Sequence, residues 1–121
     1  QLALQAQPNS AESWFWAGDL EPAKQLEYYR QGLALDPHDG LRWVTLGRLL
    51  GKTDGKAALQ AFLQACRNGD PGYHGCGNAG ALAERMGDTQ AAIRYYRLSS
   101  YPPIRQKADE LEQKLLGTPS P

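Results

Sequence analysis

The chain has 121 residues, with 13 basic and 13 acidic side chains, so its formal net charge at pH 7 is zero. This length suits a single domain and is too short for a two-domain cofactor enzyme. Since no segment is strongly basic, the sequence lacks the charge pattern of a protein that binds nucleic acid. No apolar run approaches the roughly 18 residues of a membrane-spanning helix, which argues against direct insertion into a bilayer.

Helices are predicted along the whole chain, in pairs separated by short turns. A short helix is predicted at 1–6. Because no capping residue stands before it, we expect this sequence to be part of a longer parent protein. Turn signals at Thr53-Asp54-Gly55 and at Gly87-Asp88 separate the helices of the second and third pairs. The predicted pairs are 11–19 with 22–35, 40–51 with 55–67, and 73–86 with 89–99.

Prolines divide the chain at a nearly regular interval. Pro8, Pro37, Pro71 and Pro102 are separated by 29, 34 and 31 residues. A recurring interval of this length predicts a repeat in which each unit is one supersecondary element. Because each interval holds two predicted helices, every unit is expected to be a helical hairpin. The units are expected at about 9–37, 38–71 and 72–102.

The second helix of the later units carries an alanine four residues before an aromatic residue, in Ala58-x-x-x-Phe62 and Ala92-x-x-x-Tyr96. Residues four apart share one face of a helix, so the alanine lets a neighbouring helix approach while the ring fills the space beside it. Tyr29 holds the corresponding place in the first unit. This pattern predicts a packed interface inside each hairpin.

Three motifs in this frame resemble the tetratricopeptide repeat (TPR) family: W-x-x-L-G at 43–47, G-D followed by A-x-x-x-Y within 87–96, and D-P at 36–37. The resemblance covers nearly the whole chain. It implies an all-α fold, a right-handed superhelical stack of about three helix-turn-helix hairpins, with a tryptophan in the core of the first two units. The core expected on these grounds comprises Trp14, Gly18, Tyr29, Trp43, Leu46, Gly47, Ala58, Phe62, Gly80, Ala92 and Tyr96.

The first unit departs from this pattern because it is short. Gly18 to Tyr29 spans 11 residues, whereas Gly47 to Phe62 spans 15, so the first hairpin has lost about one helical turn. The shortening falls near Pro22. We expect this proline in the first turn of the second helix, where no hydrogen bond from its backbone nitrogen is needed.

The last predicted helix, at 103–116, has one apolar face. Its apolar residues recur at helical spacing from Ile104 to Leu115, while charged residues occupy the other side. A stack of repeats exposes an apolar flank at its end, and a helix of this kind covers it. We therefore expect a single repeat domain over 1–116, capped by this helix, and a disordered tail at 117–121.

Residues 75–80 read GCGNAG and match the dinucleotide-binding pattern G-x-G-x-x-G. That pattern needs a preceding strand, and the segment ACRNGDPGYH before it has no strand character. No acidic residue stands about 20 positions further on, where the cofactor ribose would need one. The segment is therefore interpreted as a glycine-rich helix that packs closely, and no cofactor is expected.

Cys66, His74 and Cys76 are the residues that would suit metal or redox chemistry. Their spacing lacks the paired ligands of a zinc site, so no metal is expected. Cys76 and His74 stand two positions apart and would point to different sides of a helix, which argues against a catalytic pair and against an enzyme. The thiols are expected to be free and buried. A disulfide between the two cysteines is an open alternative.

The TPR resemblance also implies a binding site. In this family the first helices of successive units line a concave groove, and the residue after the core aromatic faces it. Here the groove would present Phe15, Val44, Arg48, Lys52 and Asn78. Exposed apolar groups beside basic and amide groups suit an extended peptide or a partner helix.

The function expected from these features is that of a non-catalytic scaffold for protein–protein interaction, a module of a larger bacterial protein. Its partner would be a protein or a peptide, with no role for nucleic acid. The alternative is a structural repeat segment for self-association or spacing, because an uncovered apolar flank would associate. A remote further alternative is a metal or redox site of the cysteines and histidines.

Overall fold

A computed structural model describes residues 10–117 of the chain. This part contains seven α-helices and no β-strand, which confirms the all-α class. The helix ends lie within three residues of the predicted ones, while the helix expected at 1–6 and the tail beyond Gly117 lie outside the described residues. The helices are α1 (Ala11–Leu20), α2 (Gln25–Leu35), α3 (Gly40–Leu50), α4 (Gly55–Arg67), α5 (His74–Arg85), α6 (Thr89–Arg97) and α7 (Pro102–Leu116).

The helices pack mainly on their neighbours in sequence. α1 pairs with α2, α3 with α4, and α5 with α6, so each pair forms a hairpin. Successive hairpins are joined because α2 also packs against α3, and α4 against α5. α7 packs against α6 and covers the end of the row. The result is a linear stack of three hairpins and a final helix, in which each unit contacts its neighbours.

Four helices begin with the same side-chain cap. An oxygen of Ser10, Asp39, Asp54 or Asp88 accepts a hydrogen bond from the backbone N–H three residues later, at 3.0 to 3.4 Å. Such a cap satisfies one of the N–H groups that the first turn of a helix leaves without a partner, and contributes about 1 kcal/mol. These caps fix where α1, α3, α4 and α6 begin.

Each hairpin is closed by a contact between a glycine of its first helix and an aromatic ring of its second. A β-carbon at any of these glycines would lie 2.4 to 2.9 Å from a ring carbon, closer than side chains pack. The two helices therefore reach this separation because the first one carries glycine. The pairs are Gly18 with Tyr29, Gly47 with Phe62, and Gly80 with Tyr96.

The residues expected in the repeat core differ in burial. Trp14 and Trp43 are only half-buried. Nε1 of Trp43 donates a hydrogen bond to the backbone oxygen of Pro37 at 2.7 Å, and the ring of Trp14 meets that of Tyr28 edge-on at 5.5 Å. The two tryptophans therefore lie at the margin of the core. The others are buried: Gly18, Tyr29, Leu46, Gly47, Ala58, Phe62, Gly80, Ala92 and Tyr96.

The connection in the first hairpin is a short 3₁₀ turn, Pro22–Lys24. Its backbone bonds span three residues, as in the bond from the N–H of Lys24 to the oxygen of Glu21 at 2.9 Å. α2 therefore begins at Gln25 and not at Pro22, where it was expected. Pro22 is the first residue of this turn, where the backbone nitrogen has no hydrogen-bond partner in any residue type, so the missing N–H of proline costs nothing.

The expectation of free thiols is wrong, because Cys66 and Cys76 are joined by a disulfide with Cα atoms 4.7 Å apart. The bond joins the end of α4 to the first turn of α5, and so links the second hairpin to the third. The helices come this close because Gly75 has no side chain. A β-carbon there would lie 2.4 Å from the backbone nitrogen of Cys66.

The chain turns sharply between the two cysteines. Asp70 and Tyr73 have φ angles of 44° and 61°, in the left-handed region that most side chains avoid. Oδ1 of Asp70 accepts hydrogen bonds from the N–H groups of Gly75 and Cys76, at 2.9 and 2.8 Å, and so caps α5. The ring of Tyr73 stacks on that of Tyr101 at 4.3 Å between centroids. This turn thus links α5, the first helix of the third hairpin, to α4 before it and to the residue that precedes α7.

α7 is held on the last hairpin by apolar packing and by exposed ion pairs. Ala108 is fully buried in a cluster that includes Ile93 and Tyr96 of α6. Nη2 of Arg97 lies 2.6 Å from Oε2 of Glu112. Because exposed ion pairs contribute only about 0–1 kcal/mol, the buried face provides most of the attachment.

Candidate functional site

Two of the five residues expected to line the concave groove lie in the core instead. Phe15 and Val44 are each only 1% exposed, so the expectation that they face a groove is wrong. The ring of Phe15 points toward α2, where it meets the ring of Tyr29 edge-on at 5.4 Å and covers Gly32. The residue after each tryptophan thus takes the inward position that was assigned to the tryptophan itself.

The other three expected groove residues are accessible to different degrees. Arg48 and Lys52 are exposed and Asn78 is half-buried. With Phe15 and Val44 in the core, the three that remain of the five expected residues are basic or polar. A binding role for Arg48, Lys52 and Asn78 stays a prediction.

A polar cluster joins the first two hairpins. The hydroxyl of Tyr29 donates a hydrogen bond to Oδ1 of Asp19, and Nη1 of Arg42 donates to the Tyr29 hydroxyl at 2.8 Å and to Oδ2 of Asp19 at 3.4 Å. Burial and the bond to Asp19 raise the pKa of Tyr29 above its ordinary value. Tyr29 therefore keeps its proton at neutral pH, and the cluster acts as a structural link between α1, α2 and α3.

A cleft of about 600 Å³ opens between α2 and α4, with α3 beneath it. We call it the α2–α4 cleft. Trp43 lines it together with Pro37, and its rim carries Arg30, Gln60 and Gln64. Its volume lies in the range of about 300–1,000 Å³ that is typical of ligand-binding sites. The interior of the cleft is apolar and is formed by Leu33, Ala34, Leu46, Leu50, Ala57 and Ala61.

The cleft combines rigid apolar walls with a single charge. Leu33, Leu46 and Leu50 are 2 to 4% exposed, so packing holds their side chains in place. Arg30 is the one charged residue in the lining, and its guanidinium makes no ion pair or side-chain hydrogen bond within residues 10–117. An apolar group that carries a negative charge at one end would satisfy both parts of this surface.

The described residues contain few other candidates for a chemical site. In this part of the chain, no group of three or more His, Cys, Asp or Glu side chains is arranged to hold a metal ion. The GCGNAG segment lies inside α5, where Gly75 and Gly80 contact neighbouring helices. Residues 10–117 contain no helix that is both long and apolar enough to cross a bilayer.

The cleft was not among the sites expected from the sequence, although its signal is present on the second helices. Arg30 and Ala34 stand one helical turn apart on α2, and Gln60 and Gln64 do so on α4. The face on α2 thus carries one arginine beside a short side chain, and the face on α4 carries uncharged side chains. Their proximity depends on how the hairpins stack, which the sequence pattern of one helix does not reveal.

No protein-family model matches the chain, and no curated protein matches it. Among solved structures, the crystal structure of MamA, a protein that contains tetratricopeptide repeats, is similar with a TM-score of 0.68 and 22% sequence identity. The match covers 94% of this chain and 75% of the MamA chain. A likeness at this identity concerns the fold. The chain therefore has a TPR-like helical repeat fold.

Proposed function

We propose that the chain is a TPR module without catalytic activity, which binds a segment of a partner protein in the α2–α4 cleft. The observation that carries this proposal is an apolar interior of about 600 Å³ beside Arg30, which has no ion pair within residues 10–117. Membership of the TPR family is supported by the W-x-x-L-G motif at 43–47 and by the TPR-like fold. The module would comprise the units at about 9–37, 38–71 and 72–102.

The walls of the cleft are suited to binding because their side chains are already held in place before a ligand binds. Burial of apolar surface stabilises a complex by roughly 25 cal/mol per Å², and the cost of ordering flexible groups is subtracted from this gain. The buried leucines of the cleft are fixed in the core, and the indole of Trp43 is held by its hydrogen bond to Pro37. Little of the gain would therefore be lost in ordering the protein.

Self-association is a second candidate function, favoured by two exposed apolar residues on α1. Trp16 and Leu20 are each 59% exposed and stand one helical turn apart. Such a pair would associate with the same surface of a second molecule. Sedimentation of the protein over a range of concentrations tests this, with a Trp16→Ser, Leu20→Ser variant as comparison. A monomer mass at every concentration would rule it out.

The cleft hypothesis is tested by selecting binders from a phage-displayed library of helical and linear peptides. Selected peptides are then measured by fluorescence polarisation against the protein and an Ala34→Trp variant. Ala34 is exposed and lines the cleft, so tryptophan there fills the cleft with little effect on the core. We expect the variant to lose at least tenfold in affinity, which corresponds to about 1.4 kcal/mol.

Two control variants separate this site from other surfaces. Gln31→Trp adds the same side chain to the same helix, at an exposed position outside the cleft lining, and should bind normally. A variant with Arg48→Glu and Lys52→Glu tests the face predicted from the sequence and should also bind normally. If no peptide is selected, or if Ala34→Trp binds all selected peptides like the parent protein, the cleft is not a protein-binding site.

A further inference from the structure

We infer that the occupant of the α2–α4 cleft is an amphipathic helix of about two turns, with apolar side chains on one face and a carboxylate that pairs with Arg30. This inference rests on the proposed function and specifies the partner of that site. It follows from the form of the walls, the length of the cleft and its charge.

The walls of the cleft favour a helical ligand. α2, α3 and α4 use their backbone N–H and C=O groups inside their own helices, so they offer few main-chain partners to a bound peptide. An extended peptide in an apolar cleft would leave its own backbone groups without hydrogen bonds, at a cost of about 1–3 kcal/mol each. A helix satisfies most of these groups internally. A helical ligand therefore contacts the apolar cleft through its side chains and leaves few backbone groups without hydrogen bonds.

The length of the cleft suits two helical turns. Its lining runs from Arg30 on α2 to Pro37 just after that helix, and from Ala57 to Gln64 on α4. The run on α4 spans eight residues, or seven steps of about 1.5 Å each, which gives about 10 Å. Apolar residues at i, i+3 or i+4, and i+7 of a docked helix extend over the same distance. Two or three such side chains would occupy the space above Leu46 and beside Trp43.

The charge of the cleft selects an acidic ligand. Arg30 is the only charged residue of the lining, and Gln60 and Gln64 on the opposite rim are neutral. Among the described residues that line the cleft, none carries a carboxylate that could receive a basic residue. A glutamate or aspartate of the ligand would form a bidentate pair of charge-assisted hydrogen bonds with the guanidinium of Arg30. A lysine in the same place would face a like charge.

A charge exchange tests this inference on the helical peptides whose binding is lost in Ala34→Trp. These peptides should contain an acidic residue at the end of their apolar face, and replacing that residue with lysine should weaken binding to the parent protein about tenfold. Arg30→Glu should weaken the acidic peptide and bind the lysine peptide more tightly. Arg48→Glu makes the same change on α3 outside the cleft, and should leave both affinities unchanged.

The outcomes separate the two proposals. If cleft-dependent helices are selected but Arg30→Glu affects acidic and lysine peptides alike, the acidic partner is wrong and the cleft remains a binding site. If the cleft-dependent peptides are extended, with no helical signal by circular dichroism in the complex, the helical occupant is wrong. If no peptide depends on an open cleft, the proposed function and this inference both fail.

Discussion

The ring of Tyr96 lies so close to Gly80 that a β-carbon on the glycine would be 2.4 Å from the ring carbons Cδ1 and Cε1. The hydroxyl at the other end of this ring donates a hydrogen bond of 2.6 Å to Oε1 of Glu84, one helical turn after Gly80 on α5. The tyrosine thus joins α6 to α5 through both its ring and its hydroxyl. Tyr29 joins α2 to α1 in the same way, through Gly18 and Asp19.

Gly80→Ala should destabilise the protein by about 1–3 kcal/mol, because the added methyl group forces Tyr96 or α6 to move. Gly77→Ala is the matched control in the same helix. Its β-carbon would lie 3.3 Å from Cδ1 of Ile104, the mobile tip of a half-buried side chain. Alanine also favours helix over glycine by up to about 1 kcal/mol, so this variant should be neutral or stabilised. Urea unfolding measures both. Equal effects would contradict the close contact.

Loss of the disulfide between Cys66 and Cys76 should lower the free energy of unfolding by about 2–4 kcal/mol. The bond closes a short loop and limits the unfolded chain, and in the folded state it holds α5 against α4. Urea unfolding of the parent protein with and without reductant measures the loss. A variant with Cys66→Ser and Cys76→Ser should match the reduced parent protein and be insensitive to reductant. If reductant leaves the parent unchanged, the two thiols are not bonded in solution.

Asp70→Ala should destabilise the protein by about 1–3 kcal/mol, because it removes the cap on the N–H groups of Gly75 and Cys76 and places alanine at a φ of 44°. Asp70→Asn should cost much less. Asparagine tolerates this conformation and keeps one accepting oxygen. The other carboxylate oxygen, Oδ2, is buried without a hydrogen-bond partner in the described part of the chain, so its loss breaks no bond. Thermal unfolding distinguishes the two, and equal losses would contradict the capping role.

The fold was largely predictable because its signals are local. Aspartates at helix starts and glycines at turns act on their own neighbours, so the helix ends were placed within three residues. A packed interface inside the hairpin was also predictable, since Ala58 and Phe62 share one face of α4. Such signals recur in each unit, which made the repeat visible without any relative.

The candidate site was less predictable because it depends on how whole helices are oriented. Trp14 and Phe15 are adjacent on α1 and differ by about 100° around its axis. Which of them faces α2 is decided by the crossing of the hairpin, and Gly32 leaves room for Phe15. The disulfide depended likewise on the separation of α4 and α5, which Gly75 makes small. The cleft combines residues of two hairpins, and no single stretch of sequence contains it.

Alkaline pH should destabilise the protein partly through Tyr96. Burial, together with the hydrogen bond to Glu84, raises the pKa of this hydroxyl above its ordinary value of 10.0. Below pH 10 both the folded and the unfolded chain hold the proton. As pH rises above 10, the unfolded chain releases it first, so stability falls with pH. Tyr96→Phe has no such proton, and its urea midpoint should fall less between about pH 8 and about pH 11. A fall as steep as that of the parent protein would exclude Tyr96 as a cause, leaving Tyr29, whose pKa is also raised, to be tested by Tyr29→Phe.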